Sequence, residues 1–218
     1  MQFRTAFFAA TASATLLVGC AGAGDIVVDQ SVGITALRSL CPAVGVPEYT
    51  GDVTLFSPGD ARTANALDVT ATITNVRSTC DEASGGAQVY SGATFDVVAM
   101  RRDVRGARTV ELPYFTTVVR GGNSVVSKRV GSVTLTFADG QERAQTRGTA
   151  GAFVDRAAAT LPEDIRERIT RRRRAGDASA AVDPLTEPDV RAAIARATFE
   201  LLIGFQLDED QLAYNVTR

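Results

Sequence analysis

The chain has 218 residues, 45% of them hydrophobic and 22% charged, with a formal net charge of −2 and neither histidine nor tryptophan. That length suffices for a hydrophobic core of its own, and the mild acidity argues against a chain held to nucleic acid by overall charge. Without histidine, a Ser-His-Asp triad and a His-Glu-x-x-His zinc site are excluded, and the commonest acid-base group is missing.

The first segment has the composition of an export signal. Arg4 supplies a positive charge, and an apolar run follows from Ala6 to Val18. About a dozen apolar residues are too few to span a bilayer, which predicts a secretory signal peptide over residues 1–19 that is removed from the mature chain. Its removal takes Arg4 alone among the charged residues, so the net charge becomes −3. Leu17-Val18-Gly19-Cys20 closes the run and resembles the lipobox of bacterial lipoproteins, which implies lipidation of Cys20. Each buried methylene contributes about 0.8 kcal/mol, so two or three acyl chains hold a protein on a membrane almost irreversibly. The alternative is an ordinary signal peptide in which Cys20 is incidental. Ala21 follows the cysteine, not aspartate; by resemblance to enterobacterial sorting, this implies the outer membrane over retention at the inner one, and the expected location is its periplasmic face.

Residues 20–25 read as a lipidated tether. Beyond it, Cys41 and Cys80 form a lone pair in a chain bound for an oxidising compartment, and a disulfide is predicted. A redox pair or metal ligands are the alternatives, but there is no Cys-x-x-Cys and no histidine to complete a site. No metal or cofactor is expected.

Residues 26–150 are predicted to be mostly strand. Leu67, Val69, Ala71 and Ile73 alternate with Asp68, Thr70, Thr72 and Thr74, a period of two with one face buried. Phe95, Val97 and Ala99 repeat the pattern, as do Val133, Leu135 and Phe137. Gly85-Gly86, Arg105-Gly106, Gly121-Gly122-Asn123 and Asp139-Gly140 separate these runs, and such residues suit tight turns between antiparallel strands. The expected fold is mainly β: an antiparallel β-sandwich of the immunoglobulin or fibronectin type, followed by two carboxyl-terminal helices. Pro113 within the strand Val110 to Val119 predicts an edge position or a bulge.

Residues 151–218 are expected to form a helical segment packed on the sandwich. Thr160 and Glu163 predict a capping box, with Pro162 in the first turn and a helix running to about Arg174. Thr186, Pro188 and Asp189 predict a second helix, with Val190, Ile194, Ala197 and Leu201 on one stripe and Leu202 beside it. That stripe belongs against the strands or against another protein. The tail from Leu207 to Arg218 reads as short and mixed.

Three charge clusters stand out. Arg171, Arg172, Arg173 and Arg174 could meet an anionic surface, yet Asp164 to Arg168 and Glu167 to Arg171 are favourable i,i+4 pairs on a solvated helix. Asp208-Glu209-Asp210 matches no EF-hand spacing and reads as a solvated terminus. Asp81-Glu82 reads as solvated acids in a turn.

The phrase Cys41-Pro42-Ala43-Val44-Gly45-Val46-Pro47, then Thr50 and the strand ending Arg77-Ser78-Thr79-Cys80, resembles a group of alphaproteobacterial outer-membrane lipoproteins. Those combine a lipobox, two further cysteines and a β-rich body, and the resemblance spans Leu17 to Phe137. It implies no activity. The expected function is a cell-envelope lipoprotein that acts as a binding or assembly module, without catalytic chemistry, and whose partners are the membrane and an envelope protein, not nucleic acid. The alternatives are a structural envelope protein, an Asp/Glu-dependent hydrolase and a lipid or ligand carrier.

Overall fold

The computed structural model describes residues 31–32, 39–59, 61–171, 173–174, 176 and 182–218. Residues 1–30, with the expected signal, Cys20 and the whole of the tether, lie outside the described residues. The fold is mainly β, in two four-stranded sheets. In chain order the strands are β1 (Ser31–Val32), β2 (Ala43–Gly45), β3 (Asp52–Phe56), β4 (Leu67–Asp81), β5 (Gln88–Arg101), β6 (Arg108–Arg120), β7 (Ser124–Phe137) and β8 (Arg143–Asp155). Helices α1 (Arg156–Ala159) and α2 (Glu163–Thr170) follow, then β9 (Arg173–Arg174), α3 (Pro188–Ala197), β10 (Phe199–Phe205) and α4 (Glu209–Thr217). Among the described residues no helix is long and apolar enough to cross a membrane.

One sheet has the order β3-β4-β5-β8 and is antiparallel throughout; the other has the order β2-β10-β6-β7 and is mixed, because β2 runs parallel to β10. A separate ladder joins β1 to β9. The alternating residues produce this layering. Val69, Ala71 and Ile73 of β4 and Phe95, Val97 and Ala99 of β5 face Leu112 of β6, Val133, Leu135 and Phe137 of β7, and Ile203 and Phe205 of β10 in one buried cluster. The residues between them on β4 and β7, such as Thr72, Thr74, Thr134 and Thr136, are exposed. The turn glycines behave as their composition requires: Gly85, Gly106, Gly121, Gly122 and Gly140 have φ between +63° and +79°, the left-handed region that favours glycine. Two of these turns close hairpins, β4–β5 and β6–β7, whereas the β5–β6 and β7–β8 connections carry the chain from one sheet to the other.

Those two crossing connections are held by one side chain. Arg101, only 2% exposed, donates from Nε to the carbonyl of Gln141 and from Nη1 to that of Gly106. Its Nη2 donates to the carbonyls of Val104 and Ala138, all four bonds being 2.8 Å long, and the guanidinium lies 5.2 Å from the centre of the Phe137 ring. A planar fork of donors suits this geometry, since it reaches two loops at once.

Several expectations need correction. The apolar stripe does not lie on one helix: α3 ends at Ala197, and Leu201 and Leu202 belong to β10. Phe199, Leu201, Ile203 and Phe205 alternate inward with period two, and this strand sits between β2 and β6. Tertiary pairing with β6 outweighs the helical spacing of four residues. The stripe is nevertheless core, with Val190 and Leu201 fully buried and Ala197 at 5% exposure. Thr160 is not the cap of α2: it follows the end of α1, where its hydroxyl donates to the Arg156 carbonyl, and Pro162 precedes α2. Helix α2 stops at Thr170, not near Arg174. Pro113 lies in a central strand, not at an edge. Its carbonyl accepts from Gln206 N just beyond the last residue of β10, so the missing N–H falls where that neighbour has ended. The tail is more ordered than expected, as Asp208 caps α4 in a capping box with Gln211. Asn215 then donates to the carbonyls of Tyr49 and Asp52 beside β3.

Candidate functional site

Cys41 and Cys80 are joined in a disulfide. Cys80 lies near the end of β4, and the bond fixes the segment before β2 to the β4–β5 hairpin. Glu82 reinforces it, accepting from Leu40 N at 2.9 Å and Ser39 Oγ at 3.0 Å. Asp81 accepts from Ser84 N within the turn, so both acids of this pair are used locally.

Only part of the arginine cluster falls within the described residues. Arg171 is exposed, Arg172 lies outside the described residues, and Arg173 and Arg174 form the short ladder with Val32 and Ser31. The expected i,i+4 pairs are replaced by others. Arg166 pairs with Glu163 one turn earlier, and Arg168 reaches across to Glu187 and Asp189 beside α3. The Arg168 hydrogen bond holds the Asp189 carboxyl below its ordinary range, and Arg166 does the same for Glu163. The Arg168 bonds join α2 to the start of α3, and Ile165 and Ile169 of the first share a small core with Val190 and Ala193 of the second. In the acidic run, Asp208 is a cap and Asp210 lies 3.6 Å from Arg62.

The described residues include the lining of two open clefts. One, of about 570 Å³, is lined by Ser57, Asn65, Asp68, Arg102, Asp103, Arg105 and Arg108. Four of its five charges are paired: Arg108 binds Asp68 through two bonds of 2.6 and 2.7 Å, and Arg105 binds Asp103 at 2.6 and 2.9 Å, while Arg102 donates to the Ala64 carbonyl. Arg105 holds the Asp103 carboxyl well below the carboxylate range. A general acid needs the opposite shift, so this carboxylate is unsuited to donate a proton at neutral pH. The second cleft, of about 730 Å³, is shallower and more apolar, formed by Gly85, Ala87, Arg156, Ala157, Leu161 and Pro162.

The outer face of β5 and β8 carries an aromatic pair. Tyr90 and Phe153 are directly opposite in register, with ring centroids 5.1 Å apart, and are 43% and 61% exposed. The Tyr90 ring lies over Gly151, where an added Cβ would stand 2.3 Å from the phenol oxygen. Farther along the same face, Asp96 accepts from Asn75 at 2.7 Å and from Arg147 at 3.0 Å; these bonds hold its carboxyl below the usual value.

Three of the other exposed apolar side chains lie close together on β7. Val125, Val126 and Val130 are 64%, 56% and 59% exposed. Every residue from Ser124 to Val130 is exposed, although β7 alternates normally from Val133 onward. Both β7 and β8 end their sheets, so each is paired on one side only. Sequence reasoning missed this half-strand. The available signal was charge: from Glu111 to Asp139 there is no intervening acid, while Arg120, Lys128 and Arg129 all fall in that stretch. No protein family, no curated protein and no solved structure matches this chain.

Proposed function

We propose that this chain is a cell-envelope lipoprotein, anchored through Cys20 on the periplasmic face of the outer membrane, whose body serves as a binding or assembly module without catalytic chemistry. In this reading the two sheets form a sandwich of the immunoglobulin or fibronectin kind, and the chain belongs with the alphaproteobacterial lipoproteins it resembles. The observation that supports a binding role is the exposed apolar surface on edge strands: Val125, Val126 and Val130 on β7, and Phe153 on β8 with Tyr90 beside it. Exposed apolar side chains grouped in this way mark interaction sites more often than those scattered singly. The disulfide supports export, because such bonds persist in oxidising compartments.

The anchor is tested by fatty-acid labelling of the full chain in cells, compared with Cys20→Ser. The parent should take up label and enter the detergent phase; the variant should do neither. Equal membrane retention of both forms after a salt wash would refute the anchor. The binding role is tested with a photocrosslinking residue placed at position 126 and, as a control, at position 134. A discrete adduct from position 126 alone supports the reading, and the same pattern from both positions refutes it.

A further inference from the structure

We propose that the open edge of β7, residues 124–130, receives an extended acidic segment of a partner protein, which adds to the sheet β2-β10-β6-β7 as a fifth strand. The inference deepens the binding-module reading and rests on it.

The backbone is arranged for such an addition. In an antiparallel ladder the N–H and C=O of one residue point to the same side. The Pro113 carbonyl accepts from Gln206 N on the β10 side, so Pro113, Phe115 and Thr117 direct their backbone groups toward β10. Their partners on β7 are Ser132, Val130 and Lys128, whose backbone groups therefore point away from β6 and out of the open edge. Exposed edges of this kind are templates for another strand.

The side chains select the occupant. Lys128 and Arg129 are adjacent and so project on opposite faces of the strand. Lys128 Nζ stands 5.2 Å from the centre of the Phe115 ring on one face; Arg129 has no ion pair among the described residues. Residues 112–138 hold no carboxylate to neutralise them, and Glu111 pairs in register with Thr134, several residues along β7 from both cations. Two copies of this chain joined along β7 would bring four uncompensated cations into one short ladder, which like-charge repulsion opposes. A segment with two consecutive acidic residues answers both cations at once, one on each face. Valine or threonine to either side of the acids would lie against Val125, Val126 and Val130. The same charges thus bar self-association and admit an acidic strand.

The test uses the purified full chain in detergent and a capped, fluorescent nine-residue peptide of threonine and valine with two adjacent glutamates at its centre. Fluorescence anisotropy should show saturable binding that weakens at high salt and falls about tenfold or more when the glutamates are replaced by lysines. A zero-length carbodiimide should join the peptide to Lys128, the only lysine in the chain. Val130→Pro removes an outward N–H while sparing the β6 ladder, and should abolish binding without lowering the melting temperature. If that variant does not fold, the double variant Lys128→Glu with Arg129→Glu decides, because it should reverse the preference toward the lysine peptide. Equal binding of both peptides, or a preference that the double variant leaves unchanged, would overturn the proposal. A dimer crosslinked through the β7 edges would also overturn it, by assigning the edge to a second copy. Fatty-acid labelling is independent of these readouts, so the edge and the anchor can fail separately.

Discussion

Replacing Arg101 with methionine keeps most of the volume of the buried stem and removes all four hydrogen bonds to the crossing connections. Each hydrogen bond from a charged donor contributes about 1.5–3 kcal/mol. Against this stands the cost of keeping a guanidinium at 2% exposure, several kcal/mol, which the variant no longer bears. The carbonyls of Val104, Gly106, Ala138 and Gln141 are left without their donor, but they lie in surface connections where water can replace part of it. The net loss is therefore about 3 kcal/mol, the balance of lost charge-assisted bonds against the relieved desolvation, since the variant leaves no unpaired charge behind. For a domain of this size that is a fall in melting temperature of roughly 10 °C. Lysine carries three donors on a compact head and cannot span both connections, so Arg101→Lys should recover less than half of the loss. Thermal unfolding by circular dichroism measures both variants, and amide exchange should accelerate in residues 102–107 and 138–142. A methionine variant that melts within about 2 °C of the parent would show that the bonds are not what holds these connections.

Cys41→Ser and Cys80→Ser should lower stability by the same amount, about 4 kcal/mol for a loop with a sequence separation of 39, and free-thiol titration of the native protein should find neither cysteine. Gly148→Ala should destabilise strongly, because its Cβ would stand 2.2 Å from Cζ of the buried Phe95; denaturant titration should show a lower midpoint than for Gly59→Ala, where the new Cβ meets nothing within 4 Å. Asp96 has its folded-state pKa lowered by Asn75 and then Arg147, so its contribution is present above the ordinary value of 3.8 and disappears as the pH falls through the lowered one. Asp96→Asn should therefore melt lower than the parent at pH 7, and the two curves should converge in strong acid.

The strands were legible where one face is buried and the other wet, as in Leu67 to Thr74 and Val133 to Phe137, because only a half-buried strand places every second side chain in the core. The cysteine pair was legible because exclusion of Cys20 left one combination. β10 was not. Phe199-Glu200-Leu201-Leu202-Ile203 follows a good helix with spacing that continues its stripe, and only its partner β6, some eighty residues away, makes it a strand. The open half of β7 escaped notice for a related reason. Its valines carry no alternation, since both faces are exposed, and whether a strand lies at an edge is a property of the sheet order. The ion pairs between α2 and α3 were likewise hidden, because Arg168 chooses Glu187 and Asp189 in space over Asp164 in sequence.

The place of β10 sets an order of events for the chain. Residues 199–205 lie between β2 and β6, yet they are delivered after every other strand of the two sheets when a polypeptide leaves a ribosome or a membrane pore amino end first. Until then β6 lacks one neighbour, Leu201, Ile203 and Phe205 are missing from the interior, and β2 has nothing to pair with. The sheet β3-β4-β5-β8 needs none of these residues, because all its strands precede position 156. One layer can thus assemble during delivery, while the other waits for a closing strand whose partners include residues 43–45. Contacts between such distant segments are slow to form, so the completion of this sheet, not the alternating hairpins, sets the pace at which the molecule becomes resistant to proteolysis.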